Sequence, residues 1–476
     1  MEDVQTSGRS EELKRGLTNR HIQMMALGSA IGVGLFLGSY FSIKTAGPSL
    51  ILAYALGGFI VFILMRQLGE MAAQEPVSGS FSYFSYKYIS DYAGFLSGWT
   101  FWLLEALIAI IELTAAAAFM TYWFPNVPTW VWTVVFFVMI NAINLMAVNS
   151  FGEFEFWFCL IKIVAIMLMI VFGVYILMAG IVPGASLTNL WSPAPPDGAA
   201  EFAGKSGFFP NGLGGMFMAM PAVVIAFCGL ETIGVAAAET GNPKVVIPKA
   251  VNQVIWRILL FYLGTFIVLL SIKHWTTLGS GVSPFVLIFD SIGFKAVAGT
   301  LNFVVLTAVL SVFNTCIYLA SRLLYSLGLQ GNAPQFFTVA DKRGVPVRGL
   351  SLCAGLTLLV VPLNLIFPTW QKAFGIAINF AATFVLINWF LICTSHYFFR
   401  RSMIKQGIKP HFPAFWHPFS NYFIWIAMPL ILVAMHRLGE TASVVAAPVW
   451  ILVSYVFFIL MKKYNKKRGI TPALQR

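Results

Sequence analysis

The chain has 476 residues, of which 59% are hydrophobic and only 10% are charged. About a quarter of the residues of a soluble chain are charged, so this composition excludes a soluble globular protein and indicates a polytopic membrane protein. The formal net charge of +12 needs no nucleic-acid partner, because most of the Lys and Arg residues fall in loops on one face of the membrane.

Twelve apolar segments are each about long enough to cross a bilayer, which takes roughly 20 residues. An even number of spans places both termini on one side, and the excess of Lys and Arg on that side makes it the cytoplasmic side. We therefore expect an all-α membrane domain over residues 21–462, between cytoplasmic tails at 1–20 and 463–476. The expected spans lie near residues 22–41, 50–68, 94–120, 128–148, 156–180, 211–236, 254–272, 297–325, 349–367, 373–396, 421–437 and 443–461.

The first span is interrupted by three glycines, Gly28, Gly32 and Gly34. Glycine weakens a helix, and a broken helix in a bilayer frees N–H and C=O groups that only protein or a polar cavity can satisfy. The freed N–H groups suit a carboxylate and the freed C=O groups suit an ammonium. This stretch is therefore a candidate half-site for a small zwitterion, and the alternative is close helix packing through small residues.

The sixth span carries a second interruption, where Phe227, Gly229 and Glu231 follow one another closely. Spans one and six correspond if the first ten spans form two repeats of five, at about 21–180 and 211–396, with two additional helices at 421–461. A pair of Gly-interrupted spans at matched positions indicates a transporter site between inverted repeats. The alternative role for Glu231 is a protonated acid bonded to a backbone carbonyl of the broken helix.

Other ionisable residues lie within apolar spans, where a charge costs about 2.5–3.5 kcal/mol on insertion scales and usually has a function. Glu105 and Glu112 are seven residues apart on the third span, hence on nearly one helical face, and Glu239 ends the sixth span. Lys162 lies within the fifth span and is a candidate proton-coupling residue, because a buried lysine exchanges its proton readily. The alternative is a structural ion pair with an acid such as Glu112.

The remaining acids and the cysteines predict no further chemistry. Glu155 is expected at the start of the fifth span, where an acid suits a helix N-terminus. Glu70 follows the second span and is expected to cap it and pair with Arg66, with a cytoplasmic gate as the alternative. The five cysteines form no CxxC pair and the histidines have no ligand spacing, so we expect neither a disulfide framework nor a metal site nor a cofactor.

A set of short motifs is spread over residues 13–462. It comprises LKRGLTNRHIQ at 13–23, GSAIGVGLF at 28–36, AGP at 46–48, MRQLGEM at 65–71, EPVSGSF at 75–81, GEFEFWF at 152–158 with Lys162, IPKA at 247–250, SRLLY at 321–325 and GNAP at 331–334. Together these motifs resemble the bacterial amino-acid permeases of the amino acid–polyamine–organocation superfamily. Within that family the resemblance is strongest to the phenylalanine and general aromatic amino-acid permeases.

The resemblance implies twelve helices, arranged as a five-plus-five inverted repeat with broken helices one and six and two added helices. It implies uptake of an L-amino acid with a proton across the bacterial inner membrane. The sequence gives no sign of an obligate protein partner. The family's residues that bind the substrate α-carboxylate and α-amine map onto Ala30, Ile31, Gly32, Val33 and Gly34. The aromatic lid maps onto Phe227, the substrate-facing acid onto Glu231 and the coupling lysine onto Lys162. We expect Glu231 to take part in proton coupling together with Lys162.

Two positions depart from the family pattern. Val33 stands where the family usually has threonine, and Glu105 stands where the aromatic permeases usually have an aromatic or apolar residue near the substrate side chain. Glu105 therefore leaves open an importer of a polar or cationic amino acid, and an amino-acid exchanger in the same fold also stays open. A non-transporting sensor fits less well, and an enzyme would need a nucleophile–base pair that the sequence does not contain.

Overall fold

The computed structural model describes residues 28, 31–77, 80–146, 148–195, 198, 204–231, 234, 242–278, 283–362, 370–437 and 439–468. Ala30 and Glu239 lie outside these residues, as do both predicted tails except residues 463–468. The regular secondary structure in the described residues is entirely helical, as predicted. Long apolar runs favour helix because, in an apolar surrounding, a helix satisfies its backbone N–H and C=O groups internally.

The α-helices follow one another along the whole chain. They are α1 Val33–Phe36, α2 Gly38–Ala46, α3 Leu50–Gln74, α4 Ser80–Tyr88, α5 Asp91–Met120, α6 Thr129–Asn144, α7 Val148–Ala179, α8 Gly212–Met218, α9 Met220–Ala226, α10 Pro243–Arg257, α11 Thr265–Ile272, α12 Pro284–Ser291, α13 Lys295–Leu329, α14 Val347–Thr357, α15 Trp370–Lys405, α16 Phe419–Arg437 and α17 Thr441–Arg468. A π-helical stretch, Ile258–Gly264, joins α10 to α11.

Eight helical stretches of the described chain are long and apolar enough to cross a membrane. They run Gly38–Gln74, Asp91–Met120, Gly152–Ala179, Pro243–Ile272, Lys295–Leu329, Phe374–Lys405, Phe419–Arg437 and Thr441–Arg468. Three shorter apolar helices, Thr129–Asn144, Gly212–Ala226 and Val347–Pro362, lie where the hydropathy pattern predicts spans four, six and nine. The chain is thus a multi-pass membrane protein, while the count of twelve spans and the repeat stay predictions.

Helix α5 lies at the centre of the bundle and positions the acids of the third span. It packs against α4, α13 and α15, and Glu105 and Glu112 are both buried on it. Helices α7 and α17 instead present apolar side chains outward, with Leu168 63% exposed and Leu452 66% exposed. An apolar outer surface around a core that contains carboxylates is the arrangement that a bilayer requires.

Glu70 anchors α3 to α15, but not through the predicted partner. Its carboxylate accepts hydrogen bonds from His396 Nε2 at 2.9 Å and from Arg400 Nη1 at 2.6 Å. Arg66 instead donates to the Pro413 carbonyl at 2.5 Å. The predicted direct pair of Glu70 with Arg66 does not form, although Glu70 lies near enough to Arg66 to interact with it electrostatically, because each side chain finds a hydrogen-bond partner on another segment. The side chains of Glu70 and His396 are fully buried.

Candidate functional site

The first span is broken immediately before α1. Gly32 is extended, with φ −144° and ψ −156°, and the N–H of the next residue, Val33, donates to Glu112 Oε1 at 3.2 Å. A Cβ on Gly32 would lie 2.8 Å from the same carboxylate oxygen, so a larger residue would push Glu112 away. The carboxylate on α5 thus satisfies a backbone N–H that the break has released, as a broken helix in lipid requires.

The sixth span is broken after α9, which ends at Ala226. Gly229 has φ +95°, a conformation that favours glycine. The Ala226 carbonyl accepts a hydrogen bond from the Tyr262 hydroxyl at 2.7 Å, and the Gly229 N–H donates to Glu231 Oε2 at 2.9 Å. The other carboxylate oxygen of Glu231 accepts the indole N–H of Trp389. Each carboxylate oxygen of Glu231 therefore accepts a hydrogen bond from one N–H donor.

The helices next to the two breaks, α1 and α9, contact each other directly. A Cβ on Gly34 would lie 2.6 Å from the Cα atom of Ala226, and 2.9 Å from its backbone nitrogen. Such a close approach of two backbones is possible only with glycine at this position. Gly34 therefore lets α1 contact α9, which brings the freed backbone groups of both spans to one place.

A cavity lies between the two breaks, α5 and α13. It has a volume of about 40 Å³, counted as space open to the centres of water-sized molecules, which is room for at least a few waters. Carboxylates of Glu105, Glu112 and Glu155 line it, with Gly229 on the side of the sixth span. The other lining residues are mostly apolar or small, namely Gly32, Val33, Gly34, Ile108, Ile111, Ile225, Cys228, Val312, Thr315, Cys316 and Leu319.

Lys162 lies behind this cavity and is fully buried. A Cβ on Gly28 would lie 2.8 Å from Lys162 Cε, so the lysine stem packs directly on the first span. Its Nζ donates to Ser311 Oγ at 3.1 Å, and that hydroxyl donates to Glu155 Oε1 at 2.5 Å. A hydrogen-bonded chain thus connects the buried ammonium to a carboxylate of the cavity wall.

Glu155 is the main site residue that the sequence analysis missed. It was expected at a helix start, but α7 begins at Val148, and Glu155 is 2% exposed and lines the cavity. Its spacing of seven from Lys162 places both on nearly one helical face, and this signal would have found it. Ser311 and Trp389 carried no comparable signal, because an isolated serine or tryptophan in an apolar span is ordinary.

The predicted site residues divide into two groups. Those that line the cavity are Gly32, Val33, Gly34, Glu105 and Gly229. Those that lie buried next to it are Ile31, Lys162, Phe227 and Glu231. Ala30 is outside the described residues.

Phe227 occupies an aromatic cluster. Its ring lies 5.8 Å from the Tyr54 ring and 4.7 Å from the Tyr262 ring, between centroids, and its side chain is fully buried. Its neighbours Cys228 and Gly229 line the cavity, whereas its own ring does not. A lid role for Phe227 would therefore require its ring to leave this cluster when the substrate binds.

Comparison of the sequence with known proteins identifies the family of this chain. Residues 21–471 match the family described as amino acid permease. The aromatic amino acid transport protein AroP of Escherichia coli K12 is 48% identical over 458 residues, which cover 96% of this chain and 97% of that protein. AroP of Salmonella typhimurium LT2 is 47% identical, with 98% and 99% covered. An uncharacterized amino acid permease of Bacillus subtilis, YtnA, is 40% identical, with 96% and 97% covered.

A solved structure shares the fold. The crystal structure of MhsT in complex with L-phenylalanine aligns with a TM-score of 0.57 over 95% of this chain and 100% of that chain, at 15% identity. At that identity the likeness concerns the arrangement of helices alone.

Proposed function

The chain belongs to the amino acid permease family, and we propose that it imports an L-amino acid across the bacterial inner membrane by proton symport. Members of this family are transporters and not enzymes. The observation that carries the proposal is the contact of the two broken spans at a cavity, through Gly34 and Ala226. Freed backbone N–H groups and buried carboxylates at one mid-bundle position are what a zwitterionic amino acid requires.

The proposed architecture has twelve spans with both termini in the cytoplasm. Residues 21–180 and 211–396 would form the inverted repeats, and the helices at 421–461 would be the two additions. The agreement of the breaks with spans one and six supports this arrangement. Extracellular substrate would bind between the breaks, and rocking of one helix group against the other would expose it to the cytoplasm.

Proton coupling is proposed for Lys162. A buried ammonium supplies the positive charge that a sodium ion would otherwise bring to the site. When the lysine releases its proton it becomes neutral, and the empty transporter can return to the outward-facing state without that charge. The hydrogen-bonded chain from Lys162 through Ser311 to Glu155 supports this role, because it leads from the ammonium to the cavity. Glu231, fixed by Trp389 and Gly229, is proposed to hold the sixth span in its substrate-binding shape.

The proposed substrate is an aromatic amino acid, since relatives near half identity are named aromatic amino acid transport proteins. The apolar residues Ile108, Ile111 and Leu319 would contact its side chain. A polar or cationic amino acid is the second candidate, and the observation that favours it is Glu105. The Glu105 side chain lines the cavity. There a carboxylate would attract a cationic substrate side chain but would fit poorly against an apolar ring.

The deciding experiment is uptake of a panel of labelled amino acids into proteoliposomes, with and without an inward proton gradient. We expect accumulation of phenylalanine, tyrosine or tryptophan only with the gradient. Accumulation of a basic or polar amino acid instead would make Glu105 the selectivity residue. Substrate exchange at a rate independent of the proton gradient would refute symport. Substrate binding without accumulation inside the vesicles would indicate a sensor.

A further inference from the structure

The carboxylate of Glu112 occupies a backbone donor that the broken first span offers at the cavity, the N–H of Val33. Glu112 Oε1 accepts the Val33 N–H, and the missing side chain of Gly32 leaves room for it. The other oxygen, Oε2, has no hydrogen-bond partner among the described residues, although Glu112 is only 2% exposed. Burying a carboxylate oxygen without a hydrogen-bond partner costs free energy. Binding of a ligand or of a proton at this oxygen would remove that cost.

We propose that Glu112 is an internal competitor for the substrate, which must displace the Glu112 carboxylate from the Val33 amide before its own α-carboxylate binds there. The inference rests on the proposed function and assigns a regulatory role within the same site. One N–H group donates a strong hydrogen bond to one acceptor, and two ionised carboxylates side by side in a low dielectric repel each other. Substrate binding therefore requires Glu112 to move away or to take up one proton from the aqueous phase.

The surroundings of Glu112 allow both responses. Lys162 on α7 is near enough to interact with it electrostatically, and a displaced carboxylate gains by turning toward this ammonium. The other titratable groups around the cavity are Glu105 on the same helix, Glu155 and Cys159 on α7, Cys228 and Glu231 after α9, and Cys316 on α13. Lys162 is the cation among these described groups, so Glu112 and Lys162 together would link the occupied site to a change in protonation.

The first test compares substrate binding by the wild-type protein and Glu112→Gln in detergent, over a range from mildly acidic to mildly alkaline pH. Ionised Glu112 competes most at high pH, so wild-type affinity should fall as the pH rises. Glutamine carries no charge, so Glu112→Gln should bind about tenfold more tightly at alkaline pH, the lower end for a hydrogen bond to a charged group. Its affinity should also lose most of the pH dependence.

Glu440→Gln is the matched control. Glu440 lies just before α17 and outside the cavity, so this substitution makes the same chemical change away from the site. It should bind like the wild type. Equal affinity and equal pH dependence of Glu112→Gln and wild type would overturn the proposal. If the wild type neither binds nor transports any amino acid, the proposed function fails instead, and the competitor role fails with it.

A second measurement decides the question even if Glu112→Gln does not fold. The amide of the transported amino acid keeps the ammonium and the side chain but lacks the negative charge. Between mildly acidic and neutral pH, where the α-amino group of the amide stays protonated, wild-type affinity for this amide should change with pH clearly less than affinity for the acid does. Parallel pH profiles for the acid and the amide would show that Glu112 does not compete for the carboxylate position.

Discussion

Replacement of Gly34 by alanine tests whether the two broken spans must touch. The new Cβ would lie 2.6 Å from Ala226 Cα and 2.9 Å from Ala226 N. Carbon atoms in contact lie about 3.5–4.0 Å apart, so α1 and α9 would have to separate by about 1 Å. Both obstructing atoms belong to the backbone, which cannot rotate away as a side chain can.

Overpacking of this kind costs about 1–3 kcal/mol. The strain acts only in conformations in which the spans meet, so we expect it to reduce the population of the closed, substrate-holding state. A tenfold change in an equilibrium constant corresponds to about 1.4 kcal/mol, so apparent substrate affinity should fall by roughly 5- to 150-fold. The assay is initial uptake against substrate concentration in proteoliposomes, together with thermal unfolding of the purified protein.

Gly38→Ala is the control, because its Cβ would meet its nearest atoms at 3.6 and 3.8 Å, which is ordinary contact. It adds the same methyl group four residues away and should transport like the wild type. Equal affinities for Gly34→Ala and Gly38→Ala would refute the inference that the site depends on the contact of the two spans.

Three further substitutions test other parts of the molecule. Lys162→Gln should lose accumulation driven by a proton gradient and keep exchange of labelled for unlabelled substrate; full gradient-driven uptake would remove Lys162 from coupling. Glu70→Gln should destabilise the fold by about 3 kcal/mol, because it removes the charge of the buried Glu70 carboxylate that pairs with Arg400, whereas Glu75→Gln, whose partner Lys87 is 42% exposed, should cost at most about 1 kcal/mol. Equal melting temperatures of these two variants would contradict this ranking. Trp389→Phe removes the indole N–H that binds Glu231 and should weaken apparent substrate affinity without lowering expression, and unchanged affinity would show that this bond does not shape the site.

Composition and local motifs were enough to predict the class of the protein and the position of its breaks. A composition with 59% hydrophobic residues requires a membrane protein, and the pattern of permease motifs identified the family that the comparisons confirm. The interruptions near Gly32 and Gly229 could also be predicted, because glycine acts on the backbone locally. The breaks and the motifs depend on short stretches of chain, and the class depends on composition alone.

The partner of each buried charge follows from the packing of the helices and could not be read from the amino-acid pattern. Glu112 reaches the amide of Val33, 79 residues away, and Glu231 reaches Trp389, 158 residues away. Lys162 reaches Glu155 through Ser311, which lies 149 residues along the chain from the lysine. The physical reason is that helical periodicity gives the face on which a side chain lies, whereas the packing of the helices determines what stands opposite that face.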